Sequence, residues 1–187
     1  MKKTKIYLRI FWVALVLIGL ALFFLYPEKF THDSISAFVK ENSTKIFSTY
    51  IGICLIRGLF LLPSTPFIFA GVLLFPESPW TVFWISMFGI MTTSIYLYFA
   101  SKFLEFGNLF GQKHNSRKTK IIEKLDKHGF WVVLGWSFFP LVPTDLICYI
   151  AGSTRMNFIK YISAIFIGES ILVACYIFLG ESILKLI

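Results

Sequence analysis

Apolar residues in this chain fall into five long runs separated by short charged stretches. Residues 10–26 and 78–101 carry no charge, while 46–76 carries only Arg57, 129–154 only Asp145 and 161–180 only Glu169. Runs near 20 residues match the roughly 30 Å of hydrocarbon that a transmembrane helix must cross, so 10–26, 78–101 and 161–180 are predicted to span a bilayer. The first run resembles a signal sequence, but Tyr26-Pro27-Glu28-Lys29 lacks a small-residue cleavage pattern, and a retained anchor is expected.

The other two runs do not fit single crossings. Residues 46–76 number 31, about 46 Å as one straight helix, which is too long for one crossing and too short for two. Both runs are broken by a proline pair, Pro63 with Pro66 and Pro140 with Pro143. Proline removes a backbone donor and disfavours helical geometry in the preceding residue. Each run is therefore predicted to enter, turn and leave on the same side; the arms around 140–143, of about ten and eleven residues, are each about 15 Å long if helical.

Two polar stretches keep helical periodicity. Over 34–50, Ile35, Phe38, Val39, Ile46, Phe47 and Tyr50 share a face away from Lys40, Glu41 and Lys45, which predicts a helix lying in the interface plane. Over 115–128, Ile121, Ile122 and Leu125 stand beside Lys118, Lys120, Lys124 and Lys127, predicting a second such helix.

Charge sets the orientation. Lys2, Lys3, Lys5 and Arg9 precede the first span, and seven further Lys and Arg residues fill 102–127, so both segments are expected to face the cytoplasm. With the N-terminus inside, the first hairpin returns to the outside, 78–101 crosses inward, the second hairpin dips from the cytoplasmic side, and 161–180 crosses outward. A net charge of +8 in a chain that is 57% hydrophobic suits anionic lipid headgroups at the cytoplasmic face; no nucleic-acid partner is expected.

The pieces repeat. Pro63 and Pro66 align with Pro140 and Pro143 at an offset of 77, Ala70-Gly71 with Ala151-Gly152 at 81, and Gly89 with Gly168 at 79. The expected fold is an all-α integral membrane protein: two re-entrant helical hairpins, each followed by a transmembrane helix and related by inverted topology, plus an N-terminal transmembrane helix and interfacial amphipathic helices. The expected division is an anchor and interfacial helix over 1–45 and a main domain over 46–187. The main domain comprises repeat 1 at 46–104, a cytoplasmic amphipathic connector at 105–128 and repeat 2 at 129–187.

Ionisable groups inside hydrocarbon are costly, at least about 2.5–3.5 kcal/mol for an unpaired arginine at mid-depth, and mark polar pathways. Arg57 presents a planar fork suited to phosphate oxygens; otherwise it is a partner for Asp145 or a cap on hairpin carbonyls. Asp145 is expected at the start of a half-helix, where it either caps backbone N–H groups or meets Arg57 from the opposite hairpin. Glu169 is either a proton-coupling group or an acid hydrogen-bonded to a neighbouring helix. Pro63, Pro66, Pro140 and Pro143 are architectural, and Gly71, Gly89, Gly152 and Gly168 permit close helix packing. Trp80, Trp84, Trp131 and Trp136 lie near span boundaries as interface anchors. Cys54, Cys148 and Cys175 have no paired spacing and read as small core residues, and no metal or cofactor site is suggested. GxSxG, HExxH and Walker patterns are absent, so no enzyme activity is expected.

Taken together, Arg57 with Leu62-Pro63-Ser64-Thr65-Pro66, Ala70-Gly71, and above all Phe139-Pro140-Leu141-Val142-Pro143-Thr144-Asp145-Leu146-Ile147-Cys148-Tyr149-Ile150-Ala151-Gly152, followed by Met156, Phe158, Tyr161, Gly168 and Gly180, resemble the DedA superfamily. The likeness is to its VTT-domain, SNARE-associated Golgi branch of bacterial proteins similar to yeast Tvp-type proteins, and covers about 46–182. It implies paired re-entrant helices, residence in a bacterial cytoplasmic membrane, and lipid handling as a phospholipid scramblase or polyprenyl-phosphate carrier serving membrane homeostasis. Three positions depart from the pattern: Ser137 stands where many members carry arginine, Pro76 where they carry glycine, and Glu169-Ser170-Ile171 where a proline often follows Gly168.

The expected function is energy-independent movement of lipid, with phosphate headgroups passing Arg57, Asp145 and Glu169. The alternatives are a proton-coupled transporter of a small anion or lipid-linked phosphate, and a non-transporting structural membrane protein.

Overall fold

A computed structural model describes residues 2–42, 45–104, 128–139 and 144–184, and all the regular elements within these residues are helical. They are α1 (Lys2–Leu25), a 3-10 turn (Pro27–Phe30), α2 (His32–Asn42), α3 (Ile46–Leu59), α4 (Thr65–Leu74), α5 (Pro79–Leu104), α6 (128–138), α7 (Thr144–Ser153) and α8 (Phe158–Leu184). Pro140, Pro143 and the connector helix predicted over 115–128, apart from His128, lie outside the described residues.

Among the described residues, two stretches are long and apolar enough to cross a membrane, Pro79–Phe103 and Phe158–Gly180, with 25 and 23 residues. The apolar part of α1, Ile10–Leu25, is shorter, about 24 Å at 1.5 Å per residue, but the helix continues to Lys2. Phe11, Ile18, Phe24 and Leu25 stand more than half exposed on its surface.

The interfacial helix predicted over 34–50 is not one helix. α2 ends at Asn42, and residues 46–50 form the first turn of α3. Lys45, just before α3, stands outside helical geometry at φ −123° and ψ 66°, a local break that the hydrophobic period passes over. α2 starts at a Thr31 cap, whose Oγ1 accepts from the Ser34 N–H at 3.2 Å. Its buried Ile35 packs in one cluster with Leu62, Phe67 and Ala70, so this apolar face meets α4.

The chain divides into two compact units, Met1–Ile90 with Val173–Ile187, and Met91–Leu172. In the first, α3 and α4 run back along each other: Phe47 and Tyr50 at the start of α3 pack their rings on Phe75 beyond the end of α4, and the Tyr50 hydroxyl donates to the Phe67 carbonyl at 3.0 Å. The turn between them begins at Phe60, three residues before the first proline. α3 ends in a Schellman motif: Leu62 N–H donates to Arg57 O at 3.2 Å and Leu61 N–H to Gly58 O at 3.4 Å, with Leu61 in the left-handed region at φ 54°. Pro66 then starts α4, where a missing donor costs nothing.

Glycines set the spacing. Gly71 faces the Tyr50 hydroxyl so closely that no Cβ fits, and a Cβ at Gly89 of α5 would lie 3.3 Å from Cys54 Cβ of α3. The last part of α8 packs on α4 at Phe69, whose ring lies 5.5 Å from that of Tyr176 and against Gly180.

In the second unit α7 lies against α5. Gly152 meets the backbone of Tyr98, and Ser101 Oγ donates to Tyr149 O at 2.7 Å. α7 ends in another Schellman motif, Met156 N–H to Ala151 O at 3.0 Å and Arg155 N–H to Gly152 O at 3.1 Å, with Arg155 at φ 55°. Asn157 Oδ1 then caps α8 by accepting from Lys160 N–H at 3.1 Å. A Cβ at Gly168 of α8 would lie 2.7 Å from Ser137 Cβ and 3.1 Å from Leu134 O of α6. The glycine of α8 thus seats on α6 much as the glycine of α5 seats on α3.

Candidate functional site

The residues singled out by sequence fall into two groups, each within one unit. Arg57 belongs to the first. It lies in the last turn of α3 and is 5% exposed. Its Nη1 donates to the Leu62 carbonyl at 3.1 Å, and its guanidinium stands 5.9 Å from the centroid of the Phe67 ring. A guanidinium has five N–H donors in a rigid fork, and the bond to Leu62 uses one.

Arg57 also lines a pocket of about 240 Å³ with Leu22 of α1, Ile53 and Ile56 of α3, Leu62 and Phe67. The pocket owes part of its shape to Gly19 of α1, where a Cβ would lie 2.6 Å from Phe60 Cβ. Sequence reading marked the arginine but missed the walls: Leu22 and Gly19 sit in a helix read only as an anchor, and no local signal ties them to Arg57.

Asp145 and Glu169 belong to the second unit. Asp145 lies in the first turn of α7, where a carboxylate complements the helix dipole. Glu169, in the middle of α8, is 2% exposed, and its carboxylate accepts from the Thr144 hydroxyl at 2.5 Å. Thr144, the residue before Asp145, thus ties the start of α7 to Glu169 of α8. Around them runs a buried polar seam. The Cys148 thiol donates to Ser94 Oγ at 3.5 Å, the Tyr161 hydroxyl donates to Ser94 O at 3.0 Å, and the Tyr98 hydroxyl to Met156 O. Cys148 is within electrostatic reach of both carboxylates. The sequence reading quoted Thr144 and Tyr161 only within the family motif, gave them no role, and passed over Ser94, since isolated hydroxyls in apolar helices carry no spacing signal.

Ser137, which stands at the position of a family arginine, is fully buried; its hydroxyl donates to Val133 O at 2.7 Å, one turn back on its own helix. Pro63 lies in the link between α3 and α4, and Pro66 in the first turn of α4. Trp80, Trp84 and Trp131 are each more than half exposed. Among the described residues no group of three or more His, Cys, Asp or Glu side chains is placed to hold a metal.

A buried cation on an apolar pocket, and a buried acid held by a hydroxyl, equip the chain to accommodate a charged group inside an otherwise hydrophobic fold. No curated protein and no solved structure matches the chain. The family model described as VTT domain matches residues 62–182, close to two thirds of the chain, and the chain therefore belongs to the VTT domain family, the DedA/SNARE-associated group of membrane proteins.

Proposed function

We propose that this protein moves phospholipid or a lipid phosphate across a bacterial cytoplasmic membrane without an energy source. The observation that carries the proposal is Arg57, 5% exposed and facing an apolar pocket from the turn of a helical hairpin. An arginine held there offers phosphate a bidentate partner below the surface, while apolar walls receive tails.

In this reading the N-terminus is cytoplasmic, α3 with α4 and α6 with α7 are re-entrant hairpins entering from opposite faces, and anionic headgroups gather at the cytoplasmic basic stretches. The packing of each hairpin supports it: α3 and α4 contact 79–90 and 173–180, whereas α6 and α7 contact 91–104 and 158–172. Arg57 and Asp145, each within its own unit, are the polar groups offered to headgroups.

The test is reconstitution of wild type, Arg57→Ala and Asp145→Asn in vesicles with fluorescent phospholipid and leaflet-selective quenching. Wild type is expected to exchange lipid faster than empty vesicles, and both variants, folded normally, to fall to the empty-vesicle rate. A wild-type rate equal to that of empty vesicles overturns the proposal.

Glu169 favours a second reading, proton-coupled transport of an anion or lipid-linked phosphate, because its buried carboxylate is bonded to the residue preceding Asp145. Under it, an imposed pH gradient drives uptake and Glu169→Gln abolishes the drive. A purely structural role predicts instead that Arg57→Ala lowers abundance with no lipid defect.

A further inference from the structure

We infer that water follows α2 down the flank of the α3–α4 hairpin as far as its turn, so that α2 is the wall of an aqueous recess within the membrane. It rests on the re-entrant placement of this hairpin proposed above, and on no bound or transported lipid.

α2 runs the depth of the hairpin. Its first turn stands beside the hairpin turn, since Ile35 shares a cluster with Leu62, against which Phe60 and Phe30 also pack. Its last residue, Asn42, comes four positions before Ile46, where α3 starts at the hairpin's open end. Its 11 residues measure about 16 Å at 1.5 Å each, close to half of the roughly 30 Å of hydrocarbon.

The face of α2 turned from the hairpin is polar. Ile35, Ser36 and Val39 are buried, while Asp33, Ala37, Lys40 and Glu41 are exposed. Asp33, with 79% of its side chain exposed, lies two residues before Ile35, about 3 Å along the helix, and so close to the depth of the turn. His32, at 3.4 Å from it, is itself one third exposed, so the pair is not sealed in protein. A carboxylate at that depth requires water on its open side.

The backbone requires water at the same place. The 3-10 turn Pro27–Phe30 buries no residue, Tyr26 to Lys29 are exposed, and the flanking Tyr26 and Thr31 are not helical. Such backbone is tolerated at membrane depth only inside protein or against a water-filled cavity. Phe30, at its end, packs by the hairpin turn. α1 contrasts with it: Ile18, next to the Gly19 that meets Phe60, is at a similar depth and is exposed hydrocarbon.

The exposed charges of the recess balance, with Glu28, Asp33 and Glu41 against Lys29, Lys40 and Lys45. Small hydrophilic solutes of either sign should therefore enter it.

The full-length protein in phosphatidylcholine vesicles, given one added cysteine at a time, tests the recess. Asp33→Cys and Ala37→Cys report on α2, Leu59→Cys on the end of α3 and Ile18→Cys on α1, all at exposed positions. Cys54 and Cys148 are buried, and the parent protein supplies the blank. Nitroxide labels at these cysteines are read against a water-soluble nickel chelate and against oxygen, which concentrates in lipid. Leu59 and Ile18 are expected to favour oxygen, at a depth approaching the mid-membrane value of about 15 Å. Asp33 and Ala37 are expected to favour the nickel chelate. Cationic and anionic thiosulfonates should modify Asp33→Cys at rates within about tenfold of each other, the least that a recess lined by one sign of charge would impose.

Oxygen-dominated labels at 33 and 37 with Leu59 deep overturn the recess and leave the re-entrant hairpin. Leu59 and Asp33 both at headgroup depth overturn the re-entrant placement and the recess with it. A preference for one thiosulfonate beyond about tenfold overturns the balance of charge. The labels read position alone, so lipid exchange at the empty-vesicle rate would remove the transport proposal while a wet α2 beside a deep Leu59 upheld the recess.

Discussion

Arg57 and Leu62 hold each other twice: the Leu62 N–H donates to the Arg57 carbonyl at 3.2 Å, and Arg57 Nη1 donates to the Leu62 carbonyl at 3.1 Å. The first bond ends α3 and the second aims the guanidinium, so the hairpin turn and the buried charge are one construction. Two of the three sequence-level readings of Arg57, a cap on hairpin carbonyls and a partner for phosphate, can therefore act through the same side chain.

Arg57→Lys separates them. Lysine keeps the charge and loses the planar fork, so one charge-assisted hydrogen bond, about 1.5–3 kcal/mol, is forfeited and lipid exchange should fall by about tenfold or more. The check is the flip rate in vesicles, with folding followed by elution profile and thermal unfolding. A lysine variant that exchanges lipid like wild type would show that charge alone suffices.

Thr144→Val removes the hydroxyl that reaches Glu169. Side-chain bonds between membrane helices average about 0.6 kcal/mol and reach about 1.7, and a loss within that range is expected in unfolding titrations. Glu169→Gln keeps an acceptor and should cost less than Glu169→Leu. If all three variants unfold with the wild type, the bond contributes nothing to stability.

Among the glycines, contact geometry ranks the damage. Gly152→Ala drives a methyl into the backbone of Tyr98, which cannot rotate away, and should cost at least the roughly 1–3 kcal/mol of overpacking. Gly89→Ala, with Cys54 atoms at 3.3 and 3.4 Å, should cost less. Gly52→Ala meets nothing within 4 Å and should stabilise α3 by about 0.5–1 kcal/mol, since glycine is the poorer helix former. Thermal unfolding of the three variants side by side would contradict the packing if this order were inverted.

Arg155 is exposed and left-handed at φ 55°, a conformation that costs an L-residue about 1–2 kcal/mol and glycine almost nothing. Arg155→Gly should raise stability by about 0.5–1 kcal/mol after the extra freedom of the unfolded chain is counted. An unchanged or lowered unfolding midpoint would mean that the arginine side chain compensates the strain.

The sequence carried the helical class, the long helices 79–104 and 158–184 to within a few residues, the interruption at Pro63 and Pro66, and the glycines at helix contacts. These follow from local quantities: hydrocarbon thickness, the proline ring and the absence of a Cβ. It was misleading where two local signals competed. The apolar period runs through 34–50, but α2 ends at Asn42 and α3 begins anew at Ile46 after the non-helical Lys45. The Schellman ends at Leu61 and Arg155 were invisible because neither carries the usual glycine.

Other features exist only once distant segments meet. Tyr50 reaches Phe67 over 17 residues and Thr144 reaches Glu169 over 25, while Leu22 shares a pocket with Arg57 across two intervening elements. No spacing rule encodes such pairs, because many arrangements of the same helices bury the same apolar area. What the sequence determined by itself was which segments must be helical and where charge had to be sheltered. What tertiary structure decided was the shelter, since a buried charge is stabilised by whichever donors, acceptors and walls packing brings within a few ångströms.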